Sequence, residues 1–117
     1  MVSNSYLFTD KAIEDLDNTL AYIKDELCNP LAAKKLFDSI INTIDKICAF
    51  PKSYPIVDNE LINNKEIRKA IINNYLLYYL YQEDKHLVTI LCLIRERRNI
   101  SEIINRIWIV DFMVDLH

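Results

Sequence analysis

The chain contains no glycine among its 117 residues. That absence excludes a phosphate-cradling Walker loop and a G-x-G-x-x-G dinucleotide fingerprint, both of which need backbone without a Cβ. It also removes the usual residue for helix C-caps and tight hairpin turns. Asparagine is the expected substitute at positive φ, and Asn73-Asn74 lies where one apolar run turns into the next. Cysteine is scarce and odd in number: Cys28, Cys48 and Cys92 lie far apart. No C-x-x-C occurs and no Cys/His set has ligand spacing, so neither a metal nor a cofactor is expected. Each cysteine sits in an apolar stripe, where packing is its expected role. Reduced thiols and the lack of a signal peptide point to the cytoplasm. No run of 18 apolar residues exists to span a membrane. An excess of positive charge is missing too. Fourteen basic and 17 acidic residues give a formal net charge of −3, unlike a general nucleic-acid binder.

What is present is a dense apolar block, EIRKAIINNYLLYYLYQEDKHLVTILCLIRERRN, from Glu66 to Asn99. Three runs rich in β-branched and aromatic residues, separated by short polar turns, predict an antiparallel meander. The last run, Leu87 to Ile94, is apolar on both alternating sets. Val88, Ile90, Cys92 and Ile94 form one set; Leu87, Thr89, Leu91 and Leu93 form the other. A strand apolar on both faces belongs in the middle of a sheet. The block is also the basic part of an acidic protein: Lys65–Arg98 holds seven bases against four acids. This patch is either a contact surface or a solvated rim.

Before the block, Tyr6-Leu7-Phe8 predicts a first strand, and Thr9 or Asp10 an N-cap. Ile13, Leu16, Leu20, Ile23 and Leu27 then follow helical spacing and predict one amphipathic helix. The stripe spans about two heptads, too few for a coiled coil. Asn29-Pro30 supplies an N-cap and a first-turn proline for a second helix running to about Phe50. Leu36, Ile40, Ile44 and Ile47 form one stripe there; Ala33, Phe37, Ile41 and Cys48 form a second. Two stripes predict two partners, the first helix and the sheet. A long loop, Phe50 to Asn64, follows. His86 lies alone in a polar turn and reads as solvated. After the block, Asn99 and Glu102 form a capping box for a last helix. Ile100, Ile103, Ile104, Ile107 and Trp108 would be its stripe, before an apolar tail over 108–117. Residues 1–117 therefore read as a single α+β domain, with a core over about 6–105. The order is β-α-α-β-β-β-α, a helical hairpin packed on a mostly antiparallel sheet.

These features resemble the ParE/RelE superfamily of toxins from type II toxin–antitoxin modules, over roughly Tyr6 to Asn105. The start YLFTDKAIEDLDNTLAYI is similar to the family's aromatic strand followed by A-x-x-D-L-x-x-x-x-x-Y-I. IDKICAFPKSYP is similar to its helix, proline and loop. Arg68, Tyr75 and Tyr79 fit its R…(N/R)-Y-x-x-x-Y, and LVTILCLIRERRN its final strand with an arginine ending. No piece is specific alone; the order of all five carries the likeness. The resemblance implies growth inhibition, plasmid stabilization and a cognate antitoxin as partner; a homodimer is compatible with it.

Two activities occur on this fold. RelE-like members are mRNA endoribonucleases acting at the ribosome; ParE-like members act on DNA gyrase. Four departures from the RelE-like pattern favour the ParE-like branch. Where the RelE branch has an arginine after the first tyrosine, this chain has Leu76. Ser101–Ile107, after the final arginines, holds no tyrosine or histidine. His117 has no tyrosine beside it, and the chain is acidic where ribosome-directed members are basic. The alternatives are a RelE-like endoribonuclease and a decayed, non-toxic antitoxin-binding module. Arg68, Arg95, Arg97 and Arg98 are the target-binding candidates, and no catalytic residue is assigned. For Arg68 the bland alternative is an ion pair with an acid on the first helix; for the others it is an exposed strand end. By alternation Arg95 and Arg97 share one side and Arg98 takes the other. Tyr75 and Tyr79 share a face and would line a groove or join the core. Ile103, Ile104, Ile107 and Trp108 are the antitoxin-binding candidates.

Overall fold

The computed structural model describes residues 4–57 and 66–96. The last predicted helix, the tail, Arg97, Arg98 and most of the loop after Val57 lie outside the described residues. Within them the order is β1 (Ser5–Phe8), α1 (Asp10–Ala21), α2 (Pro30–Ala49), β2 (Ile67–Ile72), β3 (Tyr75–Gln82) and β4 (Leu87–Arg95). The strands form one mixed sheet in the order β1-β4-β3-β2. β4 is central, as its two apolar faces predict: it runs parallel to β1 and antiparallel to β3.

Both helix starts follow their caps. Thr9 Oγ1 accepts from the Ala12 amide at 3.0 Å, and Asn29 Oδ1 from the Ala32 amide at 3.1 Å. α1 runs into a π-helical stretch over Tyr22–Glu26, where the Leu27 amide donates to the Tyr22 carbonyl five residues back. This wider turn shifts the phase of the stripe. Leu27, expected in the core, is 54% exposed, and Ile13 at the other end is 47% exposed. The buried line of the first helix is instead Ala12, Asp15 and Ile23, flanked by Leu16 and Leu20. On α2 the first stripe is fully used: Leu36, Ile40, Ile44 and Ile47 are buried. The second stripe is partial, with Ala33 buried but Phe37 40% exposed.

Backbone at positive φ occurs at Cys28, Asn73 and His86. Among the described residues asparagine thus takes one of three such sites, in the two-residue turn between β2 and β3; a cysteine and a histidine take the others. His86 is exposed in its turn, as expected.

Apolar clusters lie on both faces of the sheet. On the helix side, Ala70, Ile72, Leu77, Tyr79, Val88, Ile90 and Leu93 meet α1 and α2. On the other side, Ile67, Leu76, Tyr78, Leu91, Cys92 and Ile94 pack with Val57 and Leu80. The strict alternation expected for β4 is broken. Tyr78 pairs with Cys92 but Tyr79 with Ile90, so Leu91 is an extra residue, a β-bulge. Leu91 and Cys92 therefore share one face, and every residue after them is transposed. No described helix is long and apolar enough to cross a membrane.

Candidate functional site

The bulge decides where Arg95 points. Uninterrupted alternation would set Arg95 on the face opposite Val88 and Ile90. The extra residue returns it, with Leu93, to the helix side, directly across from Tyr75. There it lines a cleft of about 290 Å³ with Asp15, Asn18, Thr19, Tyr22, Tyr75, Leu93 and Ile94. Two candidates named from sequence, Arg95 and Tyr75, thus meet at one site.

The floor of this cleft comes from α1. β1 stops pairing at Phe8, opposite Ile90, and the Thr9 amide makes a last bond to the Ile90 carbonyl at 3.1 Å. Beyond it, side chains of the helix take over the edge of β4. Thr9 Oγ1 donates to the Leu91 carbonyl at 3.0 Å, and Asp15 Oδ2 accepts from the Leu93 amide at 3.2 Å. Asp15 is 4% exposed, and a carboxylate so buried requires such partners. Lys11 Nζ stands 3.9 Å from its other oxygen.

Arg68 pairs with no acid of the first helix. Its Nη1 donates to the carbonyls of Lys52 (3.2 Å) and Tyr54 (2.7 Å), bracing the loop against β2. Two backbone bonds strengthen this brace: Val57 amide to Ile67 carbonyl, and Lys69 amide to Pro55 carbonyl. Tyr79 lines no groove: it is wholly buried. Its hydroxyl donates to the Pro51 carbonyl at 2.7 Å, and its ring meets Tyr54 edge-on. Burial pushes its pKa up to about 12, against the lowering influence of Arg68. A neutral phenol already donating to backbone is not a general base. Leu76 and Tyr78 lie in the cluster on the other face, where burial also pushes the Tyr78 phenol up to about 12. Arg97, Arg98, Ile103, Ile104, Ile107 and Trp108 lie outside the described residues.

Sequence reasoning missed Asp15, Asn18, Thr19 and Tyr22. Asp15 carried a signal: it falls three residues after Ala12 and eight before Ile23, on the buried line of the helix. An acid on an apolar stripe marks a committed partner. Among the described residues, no group of three or more His, Cys, Asp or Glu side chains could hold a metal ion. The cleft offers a guanidinium fork, two phenols and small polar groups over an occupied carboxylate. Chemically such a set can hold one side chain or one anionic group, and Arg and Tyr are enriched among the residues that anchor protein contacts.

No curated protein matches the chain at a significant level. A family model matches over residues 6–100, from the first strand to just past the arginine ending of β4, and it describes the ParE toxin of the type II toxin–antitoxin system parDE; the chain belongs to that family.

Proposed function

We propose that this toxin arrests growth by acting on DNA gyrase, and that a cognate antitoxin binding its C-terminal segment neutralises it. The observation that carries the first part is the environment of β3. The position after Tyr75, where the ribosome-directed branch has an arginine, is Leu76, buried on the far face of the sheet. Tyr79 is locked in the core as a neutral donor. Cleavage of RNA through its 2′-hydroxyl needs an acid–base pair and cations for the phosphorane charge. Arg95, exposed beside Tyr75, suits protein contact instead. Arg97 and Arg98 extend this basic end in the sequence.

The experiment is induction of the toxin alone. Trapped gyrase–DNA complexes without cuts in translated mRNA are the expected result. Cuts in ribosome-bound mRNA would identify the endoribonuclease, and unimpaired growth the decayed module; either would end this reading.

The second part rests on the apolar stripe Ile103, Ile104, Ile107 and Trp108. The spacing predicts a helix of about ten residues there, and a helix that short would be marginal alone and gain order from packing. An amphipathic partner helix in a groove is a common mode of recognition. Hydrogen exchange over 99–108 should slow when antitoxin binds, and Trp108→Ala should change its affinity. Identical exchange with unchanged affinity would locate the antitoxin elsewhere.

A further inference from the structure

We propose that Thr9 and Asp15 are positioning residues: they clamp the bulge of β4 and so hold Arg95 in the cleft beside Tyr75. The proposal rests on the reading of Arg95 as a target contact, but its geometry can be judged separately.

A bulge is a local choice of register, and one residue's slip exchanges the faces of all that follows. On β4 the extra residue is Leu91, unmatched on β3. On the opposite edge of β4, β1 has already ended at Phe8, and among the described residues no strand pairs with the backbone from Leu91 to Leu93 there. The first turns of α1 replace it. One hydroxyl, Thr9 Oγ1, accepts the Ala12 amide and donates to the Leu91 carbonyl, both at 3.0 Å. It therefore couples the start of α1 to the bulged residue itself. Two residues along, Asp15 holds the Leu93 amide. The contacts bracket Cys92, and Arg95 leaves the strand two residues after the second. Held this way, Leu93 and Arg95 face the helices. Released, β4 could pair regularly and carry Arg95 to the other face, away from Tyr75.

Thr9→Asp separates the clamp from the cap. An ionised aspartate still accepts the Ala12 amide but has no proton for the Leu91 carbonyl. In NMR of the full chain, the Leu93 amide should exchange roughly tenfold faster. The nuclear Overhauser contact between Tyr75 and Arg95 should weaken, and growth arrest should fall towards that of Arg95→Ala. Thr9→Ser keeps both bonds and should restore all three readouts. Should Thr9→Asp fail to fold, Asp15→Leu carries the test. It removes the acceptor for the Leu93 amide and should lose both protection and the Tyr75–Arg95 contact, whereas Asp15→Asn keeps an acceptor and should keep both. A folded Thr9→Asp with Leu93 protection and that contact unchanged would overturn the clamp, as would both unchanged in a folded Asp15→Leu. A fully toxic Arg95→Ala would instead remove the functional reading, while the exchange and contact data still decide the clamp.

Discussion

Arg95 ends a strand whose preceding seven residues are all buried, and its charge is delivered to the surface by a rigid element. The double variant Arg95→Ala with Arg97→Ala should relieve growth arrest and leave the circular-dichroism melt nearly unchanged. Full toxicity in a folded double variant would reduce the basic end to a solvated rim. Tyr79 makes a different kind of prediction. Its pKa rises from 10 to about 12 because burial disfavours the phenolate. The folded state then keeps a proton that the unfolded chain loses above pH 10. Stability is fully present below that point and falls as pH climbs towards 12, by at most about 1.4 kcal/mol per pH unit for each such tyrosine. Urea melts between pH 9 and 11 should show this slope, and it should diminish in Tyr79→Phe. That variant should cost roughly 1 kcal/mol at neutral pH, because the Pro51 carbonyl loses its donor. The pairing of Tyr75 with Arg95 was out of reach from the sequence. Strict alternation assigns sides from the strand's start, and nothing in LVTILCLIR marks Leu91 as the residue left over.

The helices were the most legible elements, because their punctuation is local. Thr9, Asn29 and Pro30 sit where capping chemistry requires them, and α1 and α2 begin there. Asn29→Ala should lower stability by about 1 kcal/mol in denaturant melts, the usual loss for an N-cap. Ile44→Ala, at the centre of the fully buried stripe of α2, should cost 2–5 kcal/mol, roughly the range for emptying such a site. A loss near 1 kcal/mol would mean that α2 settles into the space. The π-helical stretch was not legible, since the spacing of Leu20, Ile23 and Leu27 fits an unbroken α-helix equally well. Its effect is to turn Leu27 out to solvent. The parallel alignment of β1 with β4 was equally hidden, because it depends on a crossover through both helices rather than on any local signal.

At the scale of the whole molecule, composition excluded more than it assigned. It ruled out nucleotide loops, and it directed attention to a basic end on an acidic chain. Toxicity should accordingly persist when metal is removed: dialysis against EDTA should leave growth-arrest or gyrase assays unchanged, and restoration by one specific metal would contradict this. The sheet also imposes an order in time. Of the described strands the central one, β4, is the last to be made, and Thr9 and Leu91, which a hydrogen bond joins, stand 82 residues apart. While a ribosome has delivered only the residues before Leu87, β1 and β3 have nothing between them, and the sheet cannot close. Closing so long a loop is slow compared with forming the helical hairpin. The nascent chain therefore exposes its apolar strands, and lacks the cleft that carries Arg95, until Leu87–Arg95 has been delivered. A cell translating this message meets the toxin as an unfinished sheet, and a protein able to bind that open edge would reach it before the cleft exists.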